Sequence, residues 1–398
     1  MSAFNSEECM IQIGARTEKN MHKGPGTRRN HVFSALALFL LAAIPVFLPF
    51  SGLKAQISCT GTGCALLPLE QTNLNSMLTE LQNQYTDELF DDMAEAAVVS
   101  SLAGAPMGTV NLQGFTGGVN LAVGMLSPRE VSVSIPGYGT LDNMPVAGAA
   151  INPRVFFGMN LGQLVGQSYD PFSDDDEPSY FSLARFDVYI NLIDVHQTLE
   201  GGGSTGGKTS AAIYQRGLDI RYHLVEGGNI IAGPLLRFLG VSVGVGMNTM
   251  RQSVEFTMQE ADLDTTRSGQ QLIWEGSNIV SWETKLDTYT LEVRSGIQLL
   301  YLFNLTLGVG LAMNKGNSDF TMNRTGPIYL KTNLPASLGF ETPTAVLGVN
   351  LAGTGEVPAR LGYGKVGLEF NLVYLKLALE GVFTKRAQGA NVAIRFEL

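Results

Sequence analysis

Three short patterns in this 398-residue chain could do chemistry. Gly202-Gly203-Ser204-Thr205-Gly206-Gly207-Lys208-Thr209 matches the phosphate-binding pattern GxxxxGK[ST]. That loop works when a buried parallel strand precedes it and a helix follows, so that backbone N–H groups cradle the phosphates. Here Leu218, Ile220 and Tyr222 follow at alternate positions, as a strand does, and no downstream apolar strand ends in a magnesium-binding Asp. The expectation is no nucleotide and no cofactor. Gly240-Val241-Ser242-Val243-Gly244 matches GxSxG, but a nucleophile elbow is a sharp strand-to-helix turn. Val241, Val243 and Val245 alternate straight through the serine, so Ser242 reads as an inward-facing strand residue. Beyond residue 55 the only histidines are His196 and His223, in no spacing that suggests a metal or a triad. No catalytic residue and no metal ligand is expected, and the run Asp170 to Glu177 reads as a solvated acidic turn rather than a calcium loop. The chain is not expected to be an enzyme.

The third pattern is Cys59-Thr60-Gly61-Thr62-Gly63-Cys64. Two cysteines with a flexible four-residue spacer between them can form a disulfide in an exported protein. Cys59, preceded by Ile57-Ser58, is also a poor match to a bacterial lipidation site. Both readings stay open. Export itself is read from Arg28 and Arg29 ahead of the apolar run Val32 to Phe50, with Leu53-Lys54-Ala55 as a cleavage site. Residues 1–55 are therefore assigned as a signal peptide, with Met21 as an alternative start. Residues 56–398 carry 20 basic and 33 acidic side chains, a net charge of −13, which argues against nucleic acid as a partner.

The elements that must position these groups are mostly strands. Leu361 to Leu398 alternates apolar and polar residues almost without interruption: Val366, Leu368, Phe370, then Leu375, Leu377, Leu379, then Val392, Ile394, Phe396. Period two gives each strand one apolar and one polar face. The inward set (Glu369, Asn371, Lys376, Glu380, Arg395, Glu397) mixes both signs. After residue 50 no run approaches the roughly 20 apolar residues of a membrane helix, while apolar residues spread as alternation are what a transmembrane β-barrel shows. Leu235-Leu236-Arg237-Phe238, Leu299-Leu300-Tyr301-Leu302 and Leu372-Val373-Tyr374-Leu375 recur as aromatic-bearing turns suited to the membrane interface.

The expected fold is all-β: a transmembrane antiparallel β-barrel of about twelve strands, within a range of ten to fourteen. Strands are placed near 109–115, 118–126, 129–136, 147–162, 180–195, 210–224, 238–258, 286–300, 304–323, 361–373, 375–386 and 390–398. Residues 107–398 form the barrel domain, and residues 56–106 a periplasmic or lumenal segment. That segment holds one amphipathic helix, Glu70 to Leu102, with Leu74, Leu78, Leu81, Tyr85, Leu89 and Met93 at three-and-four spacing. A stripe this apolar must dock, and the helix is read as a plug or cap. Three long connections are assigned to the extracellular side: 197–209, 260–285 and 325–360. The second carries Trp274 and Trp282, read as exposed-loop residues.

Ala55-Gln56-Ile57-Ser58-Cys59-Thr60-Gly61 with Cys64, Met93-Ala94-Glu95-Ala96-Ala97, Asn160-Leu161-Gly162 and Leu183-Ala184-Arg185-Phe186-Asp187 carry a resemblance. The chain resembles leptospiral (spirochaete) outer-membrane proteins described as surface adhesins or lipoproteins. The resemblance implies surface exposure and a role in binding host extracellular matrix, with outer-membrane lipid around the barrel. Two other classes compete: a porin or hydrophobic-solute transporter with the helix as plug, and an outer-membrane enzyme. The polarity and width of the lumen separate the first two.

Overall fold

The protein is described from a computed structural model, over residues 56–66, 75–76, 78–80, 82–105, 112, 114–135, 139–167, 178–200, 207–231, 235–259, 263–267, 270–331 and 345–398. The predicted signal peptide, Leu74, Leu81, the acidic run 170–177 and residues 202–206 of the phosphate-loop match lie outside these. No helix among the described residues is long and apolar enough to cross a membrane.

In chain order the strand β1 (Gln56–Gly61) precedes the helix α1 (Asp87–Ala103). Then come β2 (Phe115–Leu126), the hairpin β3 (Arg129–Ile135) and β4 (Gly139–Val146), and β5 (Ala149–Asn160). Next are β6 (Phe186–Glu200), β7 (Lys208–Val225), the short β8 (Gly228–Asn229) and β9 (Leu236–Gln259). The hairpin β10 (Leu263–Arg267) and β11 (Gln270–Trp274) leads to β12 (Ser277–Leu299) and β13 (Phe303–Lys331). The chain ends with β14 (Ala345–Glu356), β15 (Arg360–Leu372), β16 (Leu375–Phe383) and β17 (Ala387–Glu397).

Following the antiparallel pairings from β2 through β5, β6, β7, β9, β12, β13, β15, β16 and β17 leads back to β2. The barrel wall is thus a closed ring of ten strands, at the lower end of the expected ten to fourteen. Two expected strands account for the difference from twelve. Of the strand expected at 109–115, residues 109–111 and 113 lie outside the described residues, and the described wall begins with β2. The strand expected at 129–136 pairs instead with β4 in a separate two-stranded sheet. Of the strands not expected, the longest is β14, inside the connection 325–360, which pairs with the upper part of β13 and carries β1 on its other edge.

Outward-facing residues set the membrane level. Along β13 they are Phe303, Leu305, Leu307, Val309, Leu311 and Met313, then Lys315, Asn317, Asp319, Thr321 and Asn323. On β12 the outward set changes from Ile297, Val293, Leu291 and Tyr289 to Asp287, Lys285 and Glu283. On β9 it changes from Val243, Val245 and Met247 to Thr249, Arg251, Ser253 and Glu255. These changes coincide in register, since Asp287 pairs with both Thr249 and Lys315. The apolar belt is about eleven residues deep on β13, the length a tilted strand needs to cross hydrocarbon. The ring is complete only across that belt. The β13–β15 pairing stops at Met313 and Arg360, and the β5–β6 pairing stops at Val155 and Leu192, next to the outward Asp194.

Above the belt β9, β12 and β13 continue, reaching 24, 23 and 29 residues in all. At the opposite end lie Phe115 and Leu398, which exchange backbone hydrogen bonds of 2.8 and 2.9 Å, and the tight turns at 300–302 and 373–374. Leu300, Tyr301 and Val373 adopt positive φ there. Strand extensions at one end, and at the other the tight turns 300–302 and 373–374 beside one longer connection, 161–185 between β5 and β6, mark the extracellular and periplasmic ends of an outer-membrane barrel.

The expected helix Glu70 to Leu102 is helical wherever it is described: α-helical at 75–76 and 78–80, a π-turn at Gln82–Thr86, then the continuous α1 from Asp87; residues 70–74, 77 and 81 lie outside the described residues. From Ala94 to Ala103 every residue is buried, on every side of the helix. A helix buried all round is enclosed, and here the barrel interior encloses it. Ala94, Ala96, Ala97, Val98 and Val99 meet Ala122, Ala150, Leu286, Ala312, Val382 and Ala387 of the wall. Small residues on both sides allow this. A Cβ added at Gly124 would lie 2.2 Å from the Ala96 carbonyl oxygen and 2.6 Å from the Ser100 amide. Gly124→Val should therefore force helix and wall apart and cost about 1–3 kcal/mol. The expected readout is a lower temperature for the heat-induced gel shift, with the shift itself retained. An unchanged transition temperature would show that the helix does not press on β2.

Candidate functional site

The lumen is the feature that decides what the molecule can do, and two layers fill it. The lower layer, at belt level, is charged. Glu292 and Arg294 of β12 meet Lys365 of β15 and Glu380 of β16, all buried. Arg294 pairs with Glu292 and, at 3.1 Å, with Glu380; Lys365 lies 2.9 Å from Glu292 and 3.6 Å from Glu380. The Tyr363 hydroxyl donates to Glu292 at 2.9 Å. Beside this cluster, Arg395 pairs with Glu369 at 2.5 Å, Asn304 donates to Glu369 at 2.7 Å, and Lys376 pairs with Glu397. The mixed signs read from the sequence as inward-facing therefore neutralise one another. A cavity of about 30 Å³ remains between Ala105, Tyr189, Asp219, Arg221, Glu292 and Arg294, space for a water or two. Removing one member of such a set leaves a buried charge uncompensated. Glu380→Gln should destabilise the barrel by about 3–5 kcal/mol, read as a lower heat-shift temperature in detergent. A stability equal to wild type would mean that water reaches Lys365 and Arg294 freely.

The upper layer is the C-terminal half of α1, whose polar groups are matched to the wall. Arg154 donates to the Ser101 carbonyl at 2.6 Å, Asn248 donates to the Ser101 hydroxyl at 2.9 Å, and Asn120 donates to the Gly104 carbonyl at 2.9 Å. The N-terminal half is clamped by charge. Asp92 is fully buried, bonds Arg129 of β3 at 3.1 Å and also pairs with Arg386 of the β16–β17 loop.

The sequence stripe does a different job from the one expected. Its described residues, Leu78, Tyr85, Leu89 and Met93, pack on the extensions above the belt rather than in the belt-level lumen. Tyr85 and Leu89 pack with Val133 and Val146 of the β3–β4 hairpin, with Met93 beside them. Leu78 packs with Ile57, Ile328 and Leu347. Neither tryptophan is a free loop residue. Trp282 sits on β12, half-buried, donating to Ser318 at 2.6 Å beside Phe320. Trp274, on β11, is half-buried with the Arg324 guanidinium 4.5 Å from its ring. Cys59 and Cys64 are bonded to each other, with their Cα atoms 5.8 Å apart. A sulfur so engaged cannot carry a lipid thioether. The phosphate-loop match leads into strand, since Lys208 and Thr209 begin β7 and pair with Glu200 and Leu199.

The fold also brings together three residues whose spacing gave no signal. His223 bonds Asp187 at 2.8 Å, and Ser242 of the GxSxG match is the cross-strand partner of His223. All three are buried, and the Ser242 hydroxyl makes no hydrogen bond. Asp187 also accepts from Asn160 at 2.9 Å and from the Leu112 backbone at 3.2 Å. A nucleophile needs a base within hydrogen-bond reach and a way in for substrate. The set has neither, and serves to tie the chain entering β2 to the wall.

Burial pushes the Glu95 carboxyl above its ordinary value, partly offset by Arg386 at 3.5 Å. A carboxyl raised in the folded state adds stability below its unfolded value, and this is lost as pH rises through the folded one. Helix docking should thus weaken as pH rises through the folded-state value of Glu95, and Glu95→Gln should flatten that dependence. Protease protection of α1 against pH would show it; identical profiles for both proteins would refute it.

With the geometry in place, comparison with known proteins adds the family. Curated protein sequences return no match. Among solved structures the chain is similar to the translocator domain of the autotransporter NalP from Neisseria meningitidis, at 9% identity and TM-score 0.25 over 76% of this chain and 93% of that one. It is also similar to a Pseudomonas aeruginosa FadL homologue, at 8% identity and TM-score 0.26 over 76% and 98%. The toluene transporter TodX of P. putida aligns at 9% identity and TM-score 0.20 over 75% and 92%. A family model matches residues 52–398, and the chain belongs to the Lsa36-like family.

Proposed function

We propose that this outer-membrane barrel is a surface-exposed ligand-binding protein, an adhesin whose extracellular extensions contact host extracellular matrix or a comparable ligand, and not an open channel. The observation that carries this reading is the filled lumen: an enclosed helix above a neutralised charge cluster, with a cavity of about 30 Å³ beside Ala105. A pore that conducts water and ions needs a continuous polar passage. What remains available to act is the projecting end, with the β3–β4 hairpin, the upper parts of β9, β12 and β13, and β14 with β1 on its edge. A recess of about 280 Å³ there, between Asn75, Thr79, Gln82 and Asn350, offers uncharged hydrogen-bonding groups. The enzyme reading has no support in the arrangement of Asp187, His223 and Ser242 described above.

The purified protein in planar bilayers should give no stable conductance steps, and it should bind immobilised matrix proteins saturably. Replacing residues 129–146 with a short glycine linker should lower that binding at least tenfold. Regular conductance steps with no saturable binding would favour the competing reading, a porin or hydrophobic-solute channel with a displaceable plug.

A further inference from the structure

We infer that the protein threads its own N-terminal segment through the barrel, so that residues 56–66 and their disulfide are displayed on the outer side of the membrane. β1 pairs with β14 from Gln56–Asn350 to Gly61–Ala345, and β14 pairs with β13 from Asn317 to Ile328. Asn350 stands opposite Asn323, which is roughly 33 Å of strand beyond Met313 at the belt's upper limit, at about 3.3 Å per residue. From there the chain descends. Phe90 touches Gly353 and Gly355 of β14, Asp92 touches Gly148, and Ala96 touches Gly124. Ser101 meets Arg154 and Asn248, Ala105 lines the cavity against Glu292 and Arg294, and Leu112 reaches Asp187. Gly114 accepts a bond from Asn160, and Phe115 bonds Leu398 at the inner end, where β2 turns back up the wall.

Each contact lies further from the projecting end than the one before it. The ring is closed around this path at belt level, so the N-terminal segment has no lateral exit through the membrane wall. A leader that stayed in the inner membrane could not reach this position, so the threading requires its removal. The inference shares with the proposed function only the orientation of the barrel. It adds a displayed element, the Cys59–Cys64 loop and the strand beside it, that the sequence reading placed in a periplasmic or lumenal segment.

The test labels single thiols on intact cells with a membrane-impermeant maleimide, in a Cys9→Ser background. Cys64→Ala leaves Cys59 free. Lys385→Cys marks the outer β16–β17 loop, and Val373→Cys marks an inner turn; both positions are exposed. Cys59 should label on intact cells as fully as Lys385→Cys, while Val373→Cys should label only after permeabilisation. Cys59 behaving like Val373→Cys overturns the threading, and so does labelling of Val373→Cys alone on intact cells. Because losing the disulfide could impair folding, a chain with both cysteines and an epitope tag inserted after Thr62 is read in parallel with antibody. Binding to intact cells supports the inference, and binding only after lysis overturns it. Loss of matrix binding with Cys59 still exposed would sink the adhesin reading alone.

Discussion

In hydrocarbon no water is available to bond an unpaired peptide group, so every backbone N–H and C=O at that depth must find a partner within the protein. The structure obeys this constraint where it applies and relaxes it where it does not. Ten strands close on one another across the apolar belt. The ring then parts at two places, β5–β6 above Val155–Leu192 and β13–β15 above Met313–Arg360. Both lie where outward side chains change from Leu and Met to Asp and Lys. Above that line water can satisfy an open edge, and Pro153 can sit in β5 just past the last β5–β6 pair. The long extensions of β9, β12 and β13 are therefore free to carry other elements, β14 and β10–β11 among them.

Closing ten strands leaves an interior that must be filled or wet, and the two layers fill it by different physics. At belt level the side chains are Glu, Arg and Lys of both signs, contributed by β12, β15, β16 and β17. Burying them costs desolvation, which their pairing offsets only when every charge has a partner. Higher up the filling is a helix, and it fits because Ala94, Ala96, Ala97 and Gly124 have little or no side chain to keep it from the wall. A leucine-rich helix of the same length would not enter. The large apolar residues of this segment, Leu78, Tyr85 and Leu89, accordingly sit above the wall, where the β3–β4 hairpin and β14 cover them.

This division also explains what the sequence made legible. Period-two alternation names which residues face lipid, so the barrel, its polar interior and the inward Glu369, Glu380 and Arg395 follow from it directly. Strand count was harder. The alternation over 129–136 serves an accessory hairpin as well as it would a wall strand, since both have one covered face. The Gly-rich Ala345–Glu356 resembles a loop because its partners, β13 and β1, are what make it a strand. The three-and-four stripe from Leu74 to Met93 drew the eye to the wrong half of the helical segment. The enclosed half, Ala94–Ala103, has no stripe because every side is covered. Trp274 and Trp282 were misplaced for a related reason: strands that outrun the membrane turn expected loops into sheet. The meeting of Asp187, His223 and Ser242 depends on the register of three strands, which no local spacing encodes.

The direction of the chain through the lumen links these points. A plug attached at the inner end could swing out into the periplasm and open a pore. Here the helix is tied at both ends. Its upper end is held by Asp92 to Arg129 and Arg386, and by β1 to β14. Its lower end runs through Leu112 and Asp187 into β2, a wall strand. Withdrawing it in either direction would break a sheet pairing as well as the packing around Ala94–Ala103. The same covalent continuity that makes the helix a poor gate makes it a good tether: strain on the displayed N-terminal segment passes down α1 into a ring of ten paired strands.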